Sequence, residues 1–188
     1  MSVEEILSLP TLEVAKALLG CRLIHASEEG LTSGIIVETE AYLRDDPASH
    51  SFRKMTARTA PMFDKAGTIY VYQIYGVHFC ANITTNETGI GEAVLLRALQ
   101  PVEGIEIMQK RRKNTDIKSL CSGPGKLVEA MGIKKTMNNW VVNESPIQLI
   151  APAGNNPEVH ITTRIGITLA KDLNYRFYLK NNPFISRK

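Results

Sequence analysis

The chain has 188 residues, 44% of them hydrophobic and 22% charged, the balance of a globular protein with material for one sizeable core. A formal net charge of +3 and a pI near 8.7 allow a polyanionic partner, but stop short of the pI above about 9 that marks a strongly basic nucleic-acid binder. Cys21, Cys80 and Cys121 lie too far apart for a disulfide framework or a CxxC motif, and no apolar run approaches the roughly 20 residues that span a bilayer. Without a basic, apolar and cleavable leader pattern, the sequence reads as not secreted: cytoplasmic in a bacterial-type cell, or nuclear in a eukaryote.

Taken in chain order, Ser2-x-x-Glu5 predicts a capping box that opens a short helix. Thr11 is the expected cap of a second, whose Leu12, Ala15, Leu18 and Leu19 share a face up to Gly20. CRLIHA and GIIVETEAYL read as strands joined across Ser27-Glu28-Glu29-Gly30. TIYVYQIY, VHFCANITT and EAVLLRAL follow with turn signals between them, an antiparallel meander. Residues 44–60, RDDPASHSFRKMTARTA, form a long polar loop of a kind that is uncommon unless functional or mobile. Pro101 predicts the start of a helix running toward Lys110-Arg111-Arg112-Lys113, a basic end that suits the helix dipole and reads as solvated. Ser122-Gly123-Pro124-Gly125 leads into a further helix, KLVEAMGI, and PIQLIAP and RFYLK close the chain as short strands. With no repeat and no linker, residues 1–188 read as a single domain.

A period of two along IIVETEAY puts Ile36, Glu38, Glu40 and Tyr42 on one face of a strand. Neighbouring carboxylates repel, so one holds a proton more tightly unless a cation compensates, and such a group suits general-base work. Charged strand positions also make ordinary wet faces, and spacing alone leaves both readings open. His50, in the long loop, is a candidate acid, hydrogen-bond partner or stacking ring, or simply a solvated side chain. Asn82 occupies a strand position that disfavours amides, and Arg97, flanked by apolar residues, needs a carboxylate or phosphate; Glu40 is the attractive partner. His25, His50, His78 and His160 lack metal-ligand spacing, so no metal site is expected. SGPGK does not match GxxxxGK[ST], which excludes a nucleotide-hydrolysing motor, although N–H groups ahead of Lys126 could hold one phosphate oxygen.

The segments VETEAYL, ASHS, GTIYVYQIYG, HFCANI, EAVLLRALQPVEG, LCSGPGKL, TTRIGI and RFYLKNNPFIS, in that order, resemble the alkyladenine DNA glycosylases, also called 3-methyladenine or methylpurine DNA glycosylases, over nearly the whole chain. The resemblance implies an α+β fold: one compact domain with a curved antiparallel sheet, partly open and barrel-like, flanking helices and a protruding β-hairpin. It implies a monofunctional base-excision-repair enzyme, without metal or organic cofactor, that acts as a monomer on duplex DNA containing a damaged purine. Alkylated or deaminated purines (3-methyladenine, 7-methylguanine, hypoxanthine, ethenoadenine) would be flipped out and the N-glycosidic bond hydrolysed, leaving an abasic site.

Matched position by position, Glu40 is the expected general base, with Arg97 and the backbone carbonyl of Ile165 helping to hold its water. Tyr42, His50, Tyr72 and Asn82 are expected around the base, and Tyr75 as the wedge that fills the gap in the duplex. Val77, His78, Lys54, Arg58 and Lys126 are expected to contact DNA. The three tyrosines of GTIYVYQIYG thus divide, because alternation sets Tyr70 and Tyr72 on one face and Tyr75 on the other, and Tyr70 is assigned to the core. Two alternatives stand beside this reading. One is a non-catalytic nucleic-acid module; the other is a nucleosidase that uses Glu38 and Glu40 as a carboxylate pair.

Overall fold

A computed structural model describes residues 1–74, 76–152, 154 and 157–187. Helix α1 (Val3–Leu7) opens with the expected box: Ser2 Oγ accepts from the Glu5 amide, and the Glu5 carboxylate accepts from the Ser2 amide. Helix α2 (Thr11–Ala17) follows, but Thr11 is not its cap. Pro10 holds that place without a side-chain bond. The Thr11 hydroxyl instead turns inward to Thr85, 2.8 Å away, and to the Glu92 carboxylate. A buried carboxylate is a stronger claim on a hydroxyl than a helix end that water can solvate.

Strands β1 (Arg22–Ser27) and β2 (Gly30–Tyr42) form the expected hairpin. Strands β3 (Ile69–Ile74), β4 (His78–Thr84) and β5 (Ala93–Glu103) continue the antiparallel meander, which lies in the order β3-β4-β5-β2-β1 with β6 (Ile147–Ile150) beside β1. A last hairpin, β7 (Val159–Thr162) and β8 (Arg176–Leu179), joins through β8, which pairs with β2 at Glu38, Thr39 and Glu40. The first half of β2 therefore has β1 on one edge and the second half has β8, while β5 runs along the other edge. Hydrogen-bonded on both edges and covered on both faces, β2 is buried from Thr32 to Ala41 apart from a half-buried Ile35. The result is the expected α+β architecture, with the antiparallel sheet curled into a half-barrel.

Two irregularities drive the curl. Ile36 faces Leu99, Glu38 faces Ala98 and Thr39 faces Leu96, so Val37 is the extra residue on β2 and Arg97 the extra residue on β5. Paired bulges bend the strands, increase their twist and re-aim side chains.

Strand β5 also runs through Pro101, which lies opposite Gly34, so the helix expected from Pro101 begins later, as α3 (Ile105–Arg112). Pairing with β2 outweighs the preference of proline for a first helical turn, and the break falls at Gly104. Its φ is +70°, and a Cβ there would sit 2.2 Å from the Leu31 carbonyl oxygen, so only glycine fits. In the basic end of α3, Lys110 and Lys113 are exposed as expected, but the two arginines are bonded rather than solvated. Arg111 reaches Glu29, Ser27 and the Ala130 carbonyl, and Arg112 the Leu120 carbonyl and Glu129.

Helices α4 (Ile117–Leu120) and α5 (Pro124–Met131) complete the layer with α3 against β4 and β5, and α2 covers β2. Val14, Leu18, Ile36, Leu99, Leu127 and Phe177 join these elements in one core. The 44–60 loop is anchored to the body: Asp46 forms a buried ion pair with Arg164, and Ser49 and Ser51 are buried and bonded to each other.

Candidate active site

Glu38 and Glu40 enter the interior from the second half of β2, and neither has any exposed surface. Burying a carboxylate is costly unless it is paired and hydrogen-bonded. The β5 bulge supplies the cation by aiming Arg97 between the two: its Nε donates to Glu38 Oε1 at 3.2 Å, and its Nη1 lies 3.3 Å from Glu40 Oε1. Burial alone would lower the pKa of Arg97, but the charges of Glu40 and Glu38 outweigh it and hold the guanidinium above its ordinary value. Arg97 is a fixed positive charge.

The two carboxylates then part company. Glu38 also accepts from Arg176 of β8 at 3.0 Å, from the Ser186 amide at 2.6 Å and from the Ser186 hydroxyl at 2.9 Å. Glu40 accepts from the Ile165 amide at 2.8 Å and from the Tyr42 hydroxyl at 2.9 Å, and it borders a cavity of about 330 Å³ that Glu38 does not reach. Arg97, Ile165, Tyr42, His50, Tyr72 and Asn82 border the same cavity. Six expected positions, from four strands and two loop segments, therefore meet with Glu40 around one space, of a size that takes a small ligand.

The cavity wall is aromatic. Tyr70 and Tyr72 stack at 5.4 Å between centroids and 26° between planes. His50 stands edge-on to Tyr72 at 4.6 Å, with its Nδ1 3.1 Å from the Tyr70 hydroxyl. Tyr70 is the core residue expected, 2% exposed and packed with Met62 and Ala93, yet it also borders the cavity. Burial, and then the nearby charge of Arg58, lower the His50 pKa, so the imidazole is neutral at neutral pH. Burial and then the charge of Glu40 push the Tyr42 phenol up, so it stays a donor to that carboxylate. Asn82 spends one N–H on the Tyr70 carbonyl at 3.2 Å, which orients its amide.

The family model described as methylpurine-DNA glycosylase matches residues 5–183. The chain belongs to this family. A relative from Methanoculleus marisnigri is 52% identical over 183 residues, covering 95% of this chain and 94% of its own. One from Francisella tularensis is 46% identical over 191 residues, covering 100% and 99%. One from Carboxydothermus hydrogenoformans is 45% identical over 177 residues, covering 93% of each. All three carry the name "Putative 3-methyladenine DNA glycosylase". The protein is thus a DNA glycosylase, a DNA-repair hydrolase of N-glycosyl bonds.

In this glycosylase the residues expected to meet DNA lie at the surface. Lys54 and Arg58 are exposed on the 44–60 loop, with the Arg58 guanidinium 5.9 Å from the Tyr72 ring centroid, and Lys126 is exposed in the first turn of α5. Val77, 72% exposed, and His78 occupy the tip of the β3–β4 hairpin. They border a groove against α5 rather than the cavity itself. Tyr75 falls outside the described residues.

Cys80 and the Arg164–Asp46 pair are parts of the site that sequence reasoning did not find. Cys80 borders the cavity beside Tyr72, and burial pushes its thiol up to about 11, so it is neutral. Arg164 lies 4.6 Å from the Tyr42 ring centroid and 5.3 Å from that of Tyr175 while holding Asp46. This arrangement ties the 44–60 loop to the TTRIGI segment, whose Ile165 serves Glu40. The motif was visible in the sequence, but Asp46 is too distant along the chain to be recognised as its partner. Among the described residues no group of three His, Cys, Asp or Glu side chains is placed to hold a metal, and no helix is long and apolar enough to cross a membrane.

Proposed function

We propose that this glycosylase excises alkylated and deaminated purines from duplex DNA, with Glu40 as the general base for a water molecule and Arg97 and the Ile165 carbonyl as its further ligands. The observation that carries the assignment is the inequivalence of the two glutamates. Glu38 is saturated by Arg97, Arg176 and Ser186, whereas Glu40 alone faces the cavity.

In the proposed reaction the damaged nucleotide is flipped into the cavity and its purine stacks on Tyr72 and Tyr42. As the bond from C1′ to the purine nitrogen breaks, positive charge gathers on the sugar. The Glu40 carboxylate stabilises that charge, takes a proton from the water, and directs the remaining hydroxyl to C1′. A cationic alkylpurine departs as a neutral base and needs no proton.

Recognition combines attraction with exclusion. Electron-rich tyrosine faces add roughly 0.5 to 2 kcal/mol of cation-π attraction for 3-methyladenine or 7-methylguanine. The His50 backbone N–H reads the position of the adenine amino group, and Asn82 crowds the guanine 2-amino group, so an intact guanine is turned away. Tyr75 is proposed to fill the vacated place in the duplex, with Val77, His78, Lys54, Arg58 and Lys126 contacting the DNA around it. Among the described residues no lysine borders the cavity, which supports hydrolysis without a Schiff base or strand cleavage. The working unit is proposed to be a monomer.

Single-turnover release of hypoxanthine and 3-methyladenine from duplex DNA tests the assignment. Glu40→Gln should nearly abolish release while duplex binding persists, and release at the wild-type rate would refute it. The nucleosidase alternative needs two working carboxylates, and the saturation of Glu38 speaks against it. Rapid hydrolysis of free inosine by the wild type would restore that alternative.

A further inference from the structure

Ser186 lies in the segment after β8 and away from the cavity wall, yet it closes the charge network behind the proposed general base. The three nitrogens of the Arg97 guanidinium go to three partners: Nε to Glu38 at 3.2 Å, Nη1 toward Glu40 at 3.3 Å, and Nη2 to the Ser186 hydroxyl at 3.4 Å. The same hydroxyl donates to Glu38 Oε1 at 2.9 Å, and the Ser186 amide donates to Glu38 Oε2 at 2.6 Å. One hydroxyl therefore accepts from the arginine and donates to the carboxylate that competes with Glu40 for it.

We infer that Ser186 is a positioning residue for the glycosylase reaction, keeping the Arg97 guanidinium shared between Glu38 and Glu40. The inference rests on the reading of Glu40 as the general base. A planar guanidinium and a carboxylate favour a bidentate pair with two parallel bonds. Arg97 and Glu38 do not form one, because Ser186 occupies Nη2 and both Glu38 oxygens are already bonded. Without the Ser186 hydroxyl, Arg97 Nη2 loses its partner, and the place the hydroxyl held on Glu38 Oε1, which keeps Arg97 Nε and Arg176, is open to it. The guanidinium then turns toward Glu38 and away from Glu40.

The consequence for chemistry has a definite sign. Glu40 is faced by Arg97 from β5, Tyr42 from its own strand, the Ile165 amide, and Tyr72 and Cys80 across the cavity, with Arg164 behind Tyr42. Arg97 is the cation in direct contact with it. A nearby cation favours the ionised form of a carboxylate, and a general base works only when ionised. Drawing Arg97 away withdraws that support, so excision is expected to fail at a higher pH than in the wild type. A residue that only held the chain end in place would lower stability without moving the pH profile.

The test is single-turnover excision of hypoxanthine from duplex DNA across the acid limb of the pH–rate profile, in wild type, Ser186→Ala, Ser186→Thr and Glu40→Gln, with thermal unfolding and duplex binding measured on each. Ser186→Ala is expected to bind duplex normally and to lose about tenfold in rate, the worth of a hydrogen bond to a charged group. Its acid limb should move to higher pH, and Ser186→Thr, which keeps the hydroxyl, should recover most of both. An unchanged rate and profile in Ser186→Ala would overturn the inference. So would a slower rate with an unmoved acid limb, or an equal loss in Ser186→Thr. Glu40→Gln separates the two readings. If it excises normally, the base assignment fails; if it is inactive while Ser186→Ala behaves as wild type, only the role of Ser186 fails.

Discussion

The floor of the cavity and its wall are held by different forces. At and beneath the floor the buried Arg97, Glu38 and Arg176 interlock with the half-buried Ser186 through directional, charge-assisted bonds. At the wall, Tyr70, Tyr72 and His50 meet through ring contacts, and His50 and Arg58 retain solvent exposure. Removing one partner of a buried charge pair strands the other, whereas removing one ring of a stack forfeits only that contact. This difference suits the two tasks. Under the proposed function, chemistry at C1′ needs a carboxylate fixed in place, while recognition of differently damaged purines needs surfaces that adapt.

The sharpest test of the contrast is Arg97→Met. It leaves two buried carboxylates with Arg176 as the remaining close cation on Glu38, and should lower the free energy of unfolding by roughly 3 to 5 kcal/mol along with abolishing excision. Urea denaturation measures this, and a loss below about 1 kcal/mol would mean the floor is not held by charge pairing.

Tyr72→Leu probes the wall. It should cost less in stability than Arg97→Met, and should slow release of the cationic base 7-methylguanine more than that of neutral hypoxanthine. The extra factor is about 2 to 30, from roughly 0.5 to 2 kcal/mol of cation-π attraction. Equal slowing of both would reduce Tyr72 to a shape-filling surface.

A smaller effect is expected at the rim. Lys54→Ala and Arg58→Ala should each lower the slope of log affinity against log salt by about one if the residue meets a phosphate. Arg58 also stands over Tyr72. If its removal leaves the slope intact and changes the preference between cationic and neutral lesions, it belongs to the wall.

The smallest effect lies outside both regions. His25 is buried with its Nδ1 2.7 Å from the Met131 carbonyl oxygen, and burial lowers its pKa below the ordinary 6.5. The unfolded chain therefore takes up the proton first, so stability is full above about pH 6.5 and falls as pH drops through the window below it. Denaturation midpoints measured across that window should show a flatter acid slope in His25→Gln.

Much of this site is local and could be read from local patterns. Strand alternation set Glu38, Glu40 and Tyr42 on one face and Tyr70 with Tyr72 on another, and the Ser2 box and the first hairpin follow from spacing alone. Where expectation and structure part, a distant partner decides. Thr11 gives up its capping role to Thr85 and Glu92, Pro101 is drawn into a strand by Gly34, and the arginines of α3 find Glu29 and Glu129. Two short helices and a hairpin announce themselves in a few residues; a bulge that re-aims Arg97 depends on the register of two strands far apart in the chain.

By itself the sequence determined the residue types and their order, enough to mark the family and to nominate two glutamates, an arginine and a set of rings. Spacing did not separate the glutamates, which share one strand face; the family resemblance singled out Glu40, and the physical difference between the two came from tertiary structure. Strand β8 and the segment after it bring Arg176 and Ser186 to Glu38, while the Ile165 segment and the cavity meet Glu40. The physical reason is that a buried carboxylate is defined by the donors around it, and these donors arrive from parts of the chain that only the closed sheet brings together.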